Sequence, residues 1–201
     1  MKKKIRYSKK FSLKEEYLKN WDFLKESKKF IYFVVLFFII FFFIGFFLPA
    51  PESLNKWILE FVSGLLEKTE NMGFLELFGF ILLNNMQSGF FSMMLGSFFG
   101  ILPLLSIIAN GYLVGFVSSM AVQEAGFNSL WRLFPHGIFE LPAVFISFGL
   151  GIKFGTFIFK KNKKDAFKEY LINCLRVFIF VIIPLLIIAA IIESSLIIFL
   201  G

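Results

Sequence analysis

Residues 30–48 read FIYFVVLFFIIFFFIGFFL, a run of 19 without a charged side chain that ends against Pro49 and Pro51. A helix needs roughly 20 apolar residues to cross the hydrocarbon core of a bilayer, so the run predicts a membrane span. A long charged segment precedes it, and the run is too long for a signal-peptide core, so the reading is an anchor that stays in place rather than a cleaved leader. Working outward, the apolar stretch from Phe74 to Val122 is too long for one crossing. Pro103, next to Gly100, predicts its division into two helices joined by a tight uncharged turn. A further span begins near Pro135, since proline suits the first turn of a helix, and stops before Lys160 and Lys161. The last runs from about Leu171 to Leu200. The expected spans are therefore 30–48, 74–100, 103–122, 135–158 and 171–200, within an integral membrane domain 30–201 that follows a basic segment 1–29.

Composition agrees with this reading. Hydrophobic residues make up 58% of the chain, phenylalanine alone supplies 32 of 201 positions, and charged residues are 17%, against roughly 25% in soluble domains. The fold class expected is an all-α polytopic membrane helix bundle with about five transmembrane helices. Individual phenylalanines are read as packing and lipid-facing bulk. The single cysteine, Cys174, has no internal disulfide partner and is read as an inert thiol, buried or interfacial.

Charge placement predicts orientation. Eleven of the 21 Lys and Arg precede the first span, and Lys160, Lys161, Lys163, Lys164 and Lys168 lie between the last two. Cytoplasmic loops carry the excess of basic residues, which puts the N-terminus inside and, after five crossings, the C-terminus and the loops 49–73 and 123–134 outside. Those outer loops hold only Lys56, Lys68 and Arg132 as cations. The net charge of +7 is thus a topology signal and an attraction to anionic lipid head groups at the N-terminus. Nucleic acid need not be invoked.

Two amphipathic stretches flank the first span. Before it, Ser12 and Glu15 have capping-box spacing, and Leu13, Tyr17, Trp21 and Leu24 recur every three or four residues against a lysine-rich face. After it, at about 53–67, Leu54, Trp57, Ile58, Phe61, Val62, Leu65 and Leu66 form a stripe opposed by Asn55, Lys56, Glu60 and Glu67. Each is expected to be an interfacial helix, and the outer one is the better candidate for docking an extracytoplasmic partner.

Small residues mark expected close contacts. Ser88, Ser92, Gly96 and Gly100 step by four along the second span, Gly111, Gly115 and Ser119 share a face of the third, and Gly151 and Gly155 end the fourth. Such ladders let backbones approach closely in lipid. They predict tight packing of the second to fourth spans, within one chain or between subunits of a homo-oligomer.

Polar residues inside the spans are fewer. They are Asn84, Asn85 and Gln87 in the second, Asn110 in the third, His136 and Glu140 in the fourth, and Glu193 with Ser194 and Ser195 in the fifth. At about 1.5 Å per residue, Glu140 and Glu193 lie roughly 10 Å from the outer ends of their spans, and Asn84 and Asn110 roughly 15–18 Å. All could meet between the outer interface and the midplane. Ionisable groups at such depth are costly enough to suggest function, and three readings compete. The first is a structural network in which His136 bonds to Glu140 or Glu193. The second is a proton- or ion-coupled pathway. The third, a metal site on His136, Glu140 and Glu193, has the weakest support: nothing resembles HExxH, and there is no second histidine. No catalytic triad, phosphate-cradling glycine loop or activated cysteine context is present. Neither an enzyme nor a metal or other cofactor is therefore expected.

Pro142 lies inside the fourth span and removes the backbone bond to the Ile138 carbonyl. With Gly137 before it, the outer end of this span is expected to be bent or partly unwound, with Glu140 facing inward. Irregular backbone at membrane depth must be buried in protein or line a cavity.

Asn84 and Asn85, Asn110 with Gly111 and Gly115, the stretch PHGIFELPAVFISFGLGIKFG at 135–155 and the late Glu193 together resemble the stage II sporulation protein M family. The resemblance covers about residues 25–200, and its PHGxxELPA core is the specific part. It carries His136, Gly137, Glu140, Pro142, Asn84, Asn85, Asn110, Gly111 and Glu193 over as family-type positions without a proven role. It implies a multispanning membrane subunit without catalysis of its own. In endospore formers the name-giving member holds a cell-wall-degrading complex with two extracytoplasmic peptidoglycan hydrolases. A membrane scaffold or accessory subunit with membrane or extracytoplasmic protein partners is the function expected here. The alternative is a small oligomeric ion- or proton-coupled transporter or channel.

Overall fold

Backbone N–H and C=O groups in lipid must be satisfied within their own segment, which leaves the helix as the one way to use apolar runs of this length. The computed structural model describes residues 13–132 and 134–200, and every regular element among them is helical. The helices are α1 (Leu13–Phe47), α2 (Glu52–Thr69), α3 (Phe74–Leu95), α4 (Ile101–Ala125), α5 (Phe134–Gly155), α6 (Lys163–Val177) and α7 (Ile183–Leu200). Short 3-10 segments follow α4 at Phe127–Arg132 and α5 at Thr156–Phe159.

Among the described residues, four helical stretches are long and apolar enough to cross a membrane: Tyr17–Phe47, Ile101–Ala125, Gly137–Phe159 and Lys163–Phe199. The chain is a multi-pass, all-α membrane bundle. The fifth expected span, α3, is 22 residues long but is not one of these four; Asn84, Asn85 and Gln87 interrupt its apolar run. It nevertheless packs along both α5 and α7.

The first and last spans are longer than their apolar runs. The stretch expected as a separate interfacial helix is continuous with the first span, and α1 covers 35 residues, about 52 Å at 1.5 Å per residue. That exceeds the roughly 30 Å hydrocarbon core, so its basic end stands beyond the core. Ser12, the expected cap, lies outside the described residues, as does the lysine cluster before it. At the other end, α6 and α7 are joined without a break by a π turn at Phe178–Ile182. Pro184 sits just beyond this turn. A proline ring clashes with the carbonyl four residues earlier, here that of Phe180, and the wider turn makes room for it.

The long central run divides where two consecutive residues adopt positive φ. Phe99 (φ 59°) and Gly100 (φ 71°) turn the chain between α3 and α4. Pro103 therefore does not make the break; it occupies the first turn of α4, where its missing N–H costs nothing. Beyond this turn α4 packs chiefly on α1 and α3 on α7, while both touch α5.

The helix α5 is the hub. It touches α1 and α4 on one side and α3 and α7 on the other. Val34, Phe38, Ile107 and Phe148 form the core that joins α1, α4 and α5, and the Phe38 and Phe145 rings meet edge to face at 5.2 Å. A second core unites Phe23, Met93, Leu150, Phe154, Cys174, Phe178, Ile182 and Leu186. A third, of Leu77, Ile81 and Ala190, fixes α3 to α7. The helix α2 makes no extensive contact with any other helix, and of its residues only Ile58 is buried.

Candidate functional site

The hub helix presents its N-terminal half to a cavity of about 580 Å³. Phe38 and Phe42 of α1, Phe61, Val62 and Leu65 of α2, and Leu113, Val114 and Val117 of α4 make its apolar walls. Leu130 of the 3-10 segment after α4, Gly137, Ile138, Glu140 and Leu141 of α5, and Glu193 of α7 also line it. The i, i+3, i+4 spacing of Phe38 with Phe42, and of Leu113, Val114 and Val117, puts each set on one helical face. Sequence periodicity thus fixes which side chains can line the space, while the pairing of α1 with α4 decides that they do.

Among the described residues, three polar side chains enter this apolar space: Ser118, Glu140 and Glu193. Among the described residues, no ion pair or hydrogen bond reaches either carboxyl group. The Ser118 hydroxyl has no side-chain hydrogen bond either, although the residue is only 2% exposed. An uncompensated charge in apolar surroundings is costly, so a carboxyl here either takes up a proton or gains from a group that brings positive charge or donors.

The structure brings together only part of the polar set expected from the sequence. Glu140 and Glu193 meet at the cavity, but Asn84 and Gln87 are exposed on α3 and Asn85 is half-buried there, away from the lining. Asn110 turns back on its own helix, its Nδ2 donating to the Ser106 carbonyl at 2.8 Å. Ser194 and Ser195 likewise donate to the Ala190 and Ile191 carbonyls of α7. The helical faces that α3 and α4 turn to the bundle leave the asparagines out of the lining that holds the carboxyls. His136 belongs to the first turn of α5, and its side chain lies outside the described residues.

Pro142 does not unwind the helix. Residues Phe134–Gly155 remain α-helical through it, and Pro142 itself is exposed. Gly137, Ile138 and Glu140 all line the cavity, and Ile138 is nevertheless 63% exposed, so this turn borders an open space and is not enclosed by protein. Gly137 is no close-packing position: a methyl group there would meet nothing nearer than its own helix's Leu141, at 3.8 Å.

The other ladder glycines do mark close contacts, in two seams. A Cβ at Gly96 would overlap the Gly151 carbonyl, and one at Gly155 would overlap the Gly100 amide. A Cβ at Gly151 would fall 2.7 Å from the Pro103 ring. This seam holds the α3–α4 turn against α5 within one chain. The second seam runs elsewhere than expected. Gly111 and Gly115 face the backbone of Phe38 and Phe42 in α1, not the second or fourth span, and a Cβ at Gly111 would lie 2.7 Å from the Phe38 carbonyl oxygen. Gly45 of α1 completes it against Tyr112.

A second polar site escaped the sequence reading. Lys153, in the last turn of α5, is only 5% exposed. Its Nζ pairs with Glu26 Oε2 of α1 at 3.3 Å and lies 3.9 Å from the centre of the Phe23 ring. The Tyr170 ring is also near, at 5.6 Å. The signal available was a lone cation in an otherwise uncharged stretch from Ala143 to Phe159. Asn20 and Ser147 are also buried, with side-chain polar atoms that lack a partner, and nothing in their spacing distinguishes them from ordinary helix residues.

Residues 34–196 match the family model described as Stage II sporulation protein M. Comparisons with curated proteins and with solved structures gave no match. The match takes in α5, both glycine seams and both carboxyls of the cavity, and the chain belongs to that family.

Proposed function

We propose that this member of the stage II sporulation protein M family is a non-catalytic membrane scaffold or accessory subunit that organises a membrane-associated complex. The observation carrying this reading is the contrast between the two halves of α5. From Ser147 to Gly155 every residue but Ile152 is buried, against helices that approach to backbone contact at the glycines. The half nearer Glu140 borders an open, largely apolar cavity. A transport pathway needs access from both faces of the membrane, whereas a closed lower half under an open upper cavity suits a rigid holder.

The proposed orientation has the basic N-terminus in the cytoplasm, as the distribution of Lys and Arg favours. In that orientation α2 and the cavity lie towards the outer face, where they can meet a membrane or extracytoplasmic partner. Affinity purification from native membranes tests the proposal, and a reproducible partner protein is the expected result. Recovery of the chain alone, together with ion flux in liposomes that Glu140→Gln abolishes, would establish the transporter instead.

A further inference from the structure

The geometry points to a ligand site in the cavity bounded by α1, α2, α4, α5 and α7, one that takes a lipophilic cation: a small molecule with a hydrocarbon or aromatic body and a single positive head. Its volume of about 580 Å³ falls in the range of roughly 300–1,000 Å³ typical of small-molecule pockets, which are mostly apolar with a few placed polar groups. The walls supply the apolar part through Phe38, Phe42, Phe61, Leu65 and Val117. Aromatic faces also attract cations directly.

Charge decides the class of guest. Glu140 and Glu193 enter the cavity from two different helices, and no described side chain of opposite charge is paired with either. Lys153, the buried cation of α5, is engaged with Glu26 and does not line the cavity. Ser118 is a separate pointer to a ligand: it lines the cavity, is 2% exposed, and its hydroxyl has no partner among the described residues. An anionic guest would add to the acidic charge, and a neutral hydrocarbon would leave three polar groups unanswered. A guest with a cationic head satisfies the carboxyls while its body fills the apolar walls. The space suits a small molecule or a single lipid-like chain, since its lining comes from about one or two turns of each helix. This site goes beyond the scaffold reading and does not depend on it: a scaffold without the ligand, or a ligand site without a partner protein, would each be detected separately.

The test uses the full chain in nanodiscs of zwitterionic lipid, with radiolabelled tetraphenylphosphonium as probe and tetraphenylborate as its anionic counterpart of the same shape. Empty nanodiscs correct for partition into lipid. The expected result is saturable phosphonium binding without saturable borate binding, weakened roughly tenfold or more in the Glu140→Gln, Glu193→Gln double variant, a loss of about 1.4 kcal/mol or more. If that variant does not fold, Leu65→Trp decides the matter, because it fills the cavity from α2 without touching the carboxyls. Loss of binding in a folded Leu65→Trp protein supports the site. Equal binding of the two probes, no saturable phosphonium binding, or binding unchanged in either folded variant overturns it.

Discussion

Gly115 stands where a side chain would meet the Phe42 carbonyl of the neighbouring helix. Substitution to valine forces α1 and α4 apart, and overpacking of this kind costs roughly 1–3 kcal/mol. Gly64 on α2 has nothing within 4 Å, so Gly64→Ala is expected to stabilise slightly, by up to about 1 kcal/mol, through helix propensity alone. Thermal unfolding in detergent should lower the midpoint for Gly115→Val and leave it level or raised for Gly64→Ala; equal effects would deny the seam. Both are glycines in helices, and spacing alone does not tell them apart. Lys153 makes a second contrast. Its stem and ammonium are packed beside Phe23 and Tyr170, so Lys153→Ala opens a cavity, costing roughly 2–5 kcal/mol by analogy with other large-to-small core changes. Lys153→Met retains the volume and should cost clearly less. If the two unfold together well below the wild type, the ion pair with Glu26 outweighs the packing. The sequence shows Lys153 as an isolated charge, but its partner is 127 residues away along the chain, a distance that no local pattern bridges.

Among the elements, α2 is held least. It makes no extensive contact with any other helix, and its only buried residue is Ile58, yet it forms one wall of the carboxyl-lined cavity. Few buried contacts imply a low free energy of local opening. Amide exchange in α2 should therefore be faster than in α5 from Ser147 to Gly155; comparable protection would mean that α2 is anchored by more than Ile58. The boundaries of α2, expected at about 53–67 and found at Glu52–Thr69, were legible because Pro51 and a clear apolar stripe delimit it. The continuity of α1 through the first span was not. An amphipathic stretch that runs into an apolar one reads equally well as two helices or one, because periodicity reports which face is apolar and says nothing of a bend when no glycine or proline separates them. The π turn before Pro184 was hidden for a related reason: a proline announces a disturbance, but the backbone form that absorbs it depends on the packing around Phe178 and Ile182, both buried.

For the whole molecule, the side of the membrane each end occupies is a prediction with a direct measurement. In a Cys174→Ser background, Ser63→Cys on the exposed face of α2 should react with an impermeant maleimide on intact cells, and Lys163→Cys only after permeabilisation. The reverse pattern would invert the orientation. Part of this architecture was legible in the sequence by itself: the all-α membrane class, the family, and the presence of small residues on helical faces where close approach is possible. These follow from local properties, namely run length, charge placement and residue size. Only the tertiary structure decided that α5 is the hub, that Gly111 and Gly115 face α1, and that Glu140 and Glu193 share a cavity from which the asparagines are absent. Depth along a helix can be counted from the sequence, but rotation about its axis and choice of neighbour are set by how all the helices pack at once. Residues placed within reach of one another by such a count can therefore share a cavity or miss it, and here the carboxyls do the first while Asn84 and Asn110 do the second.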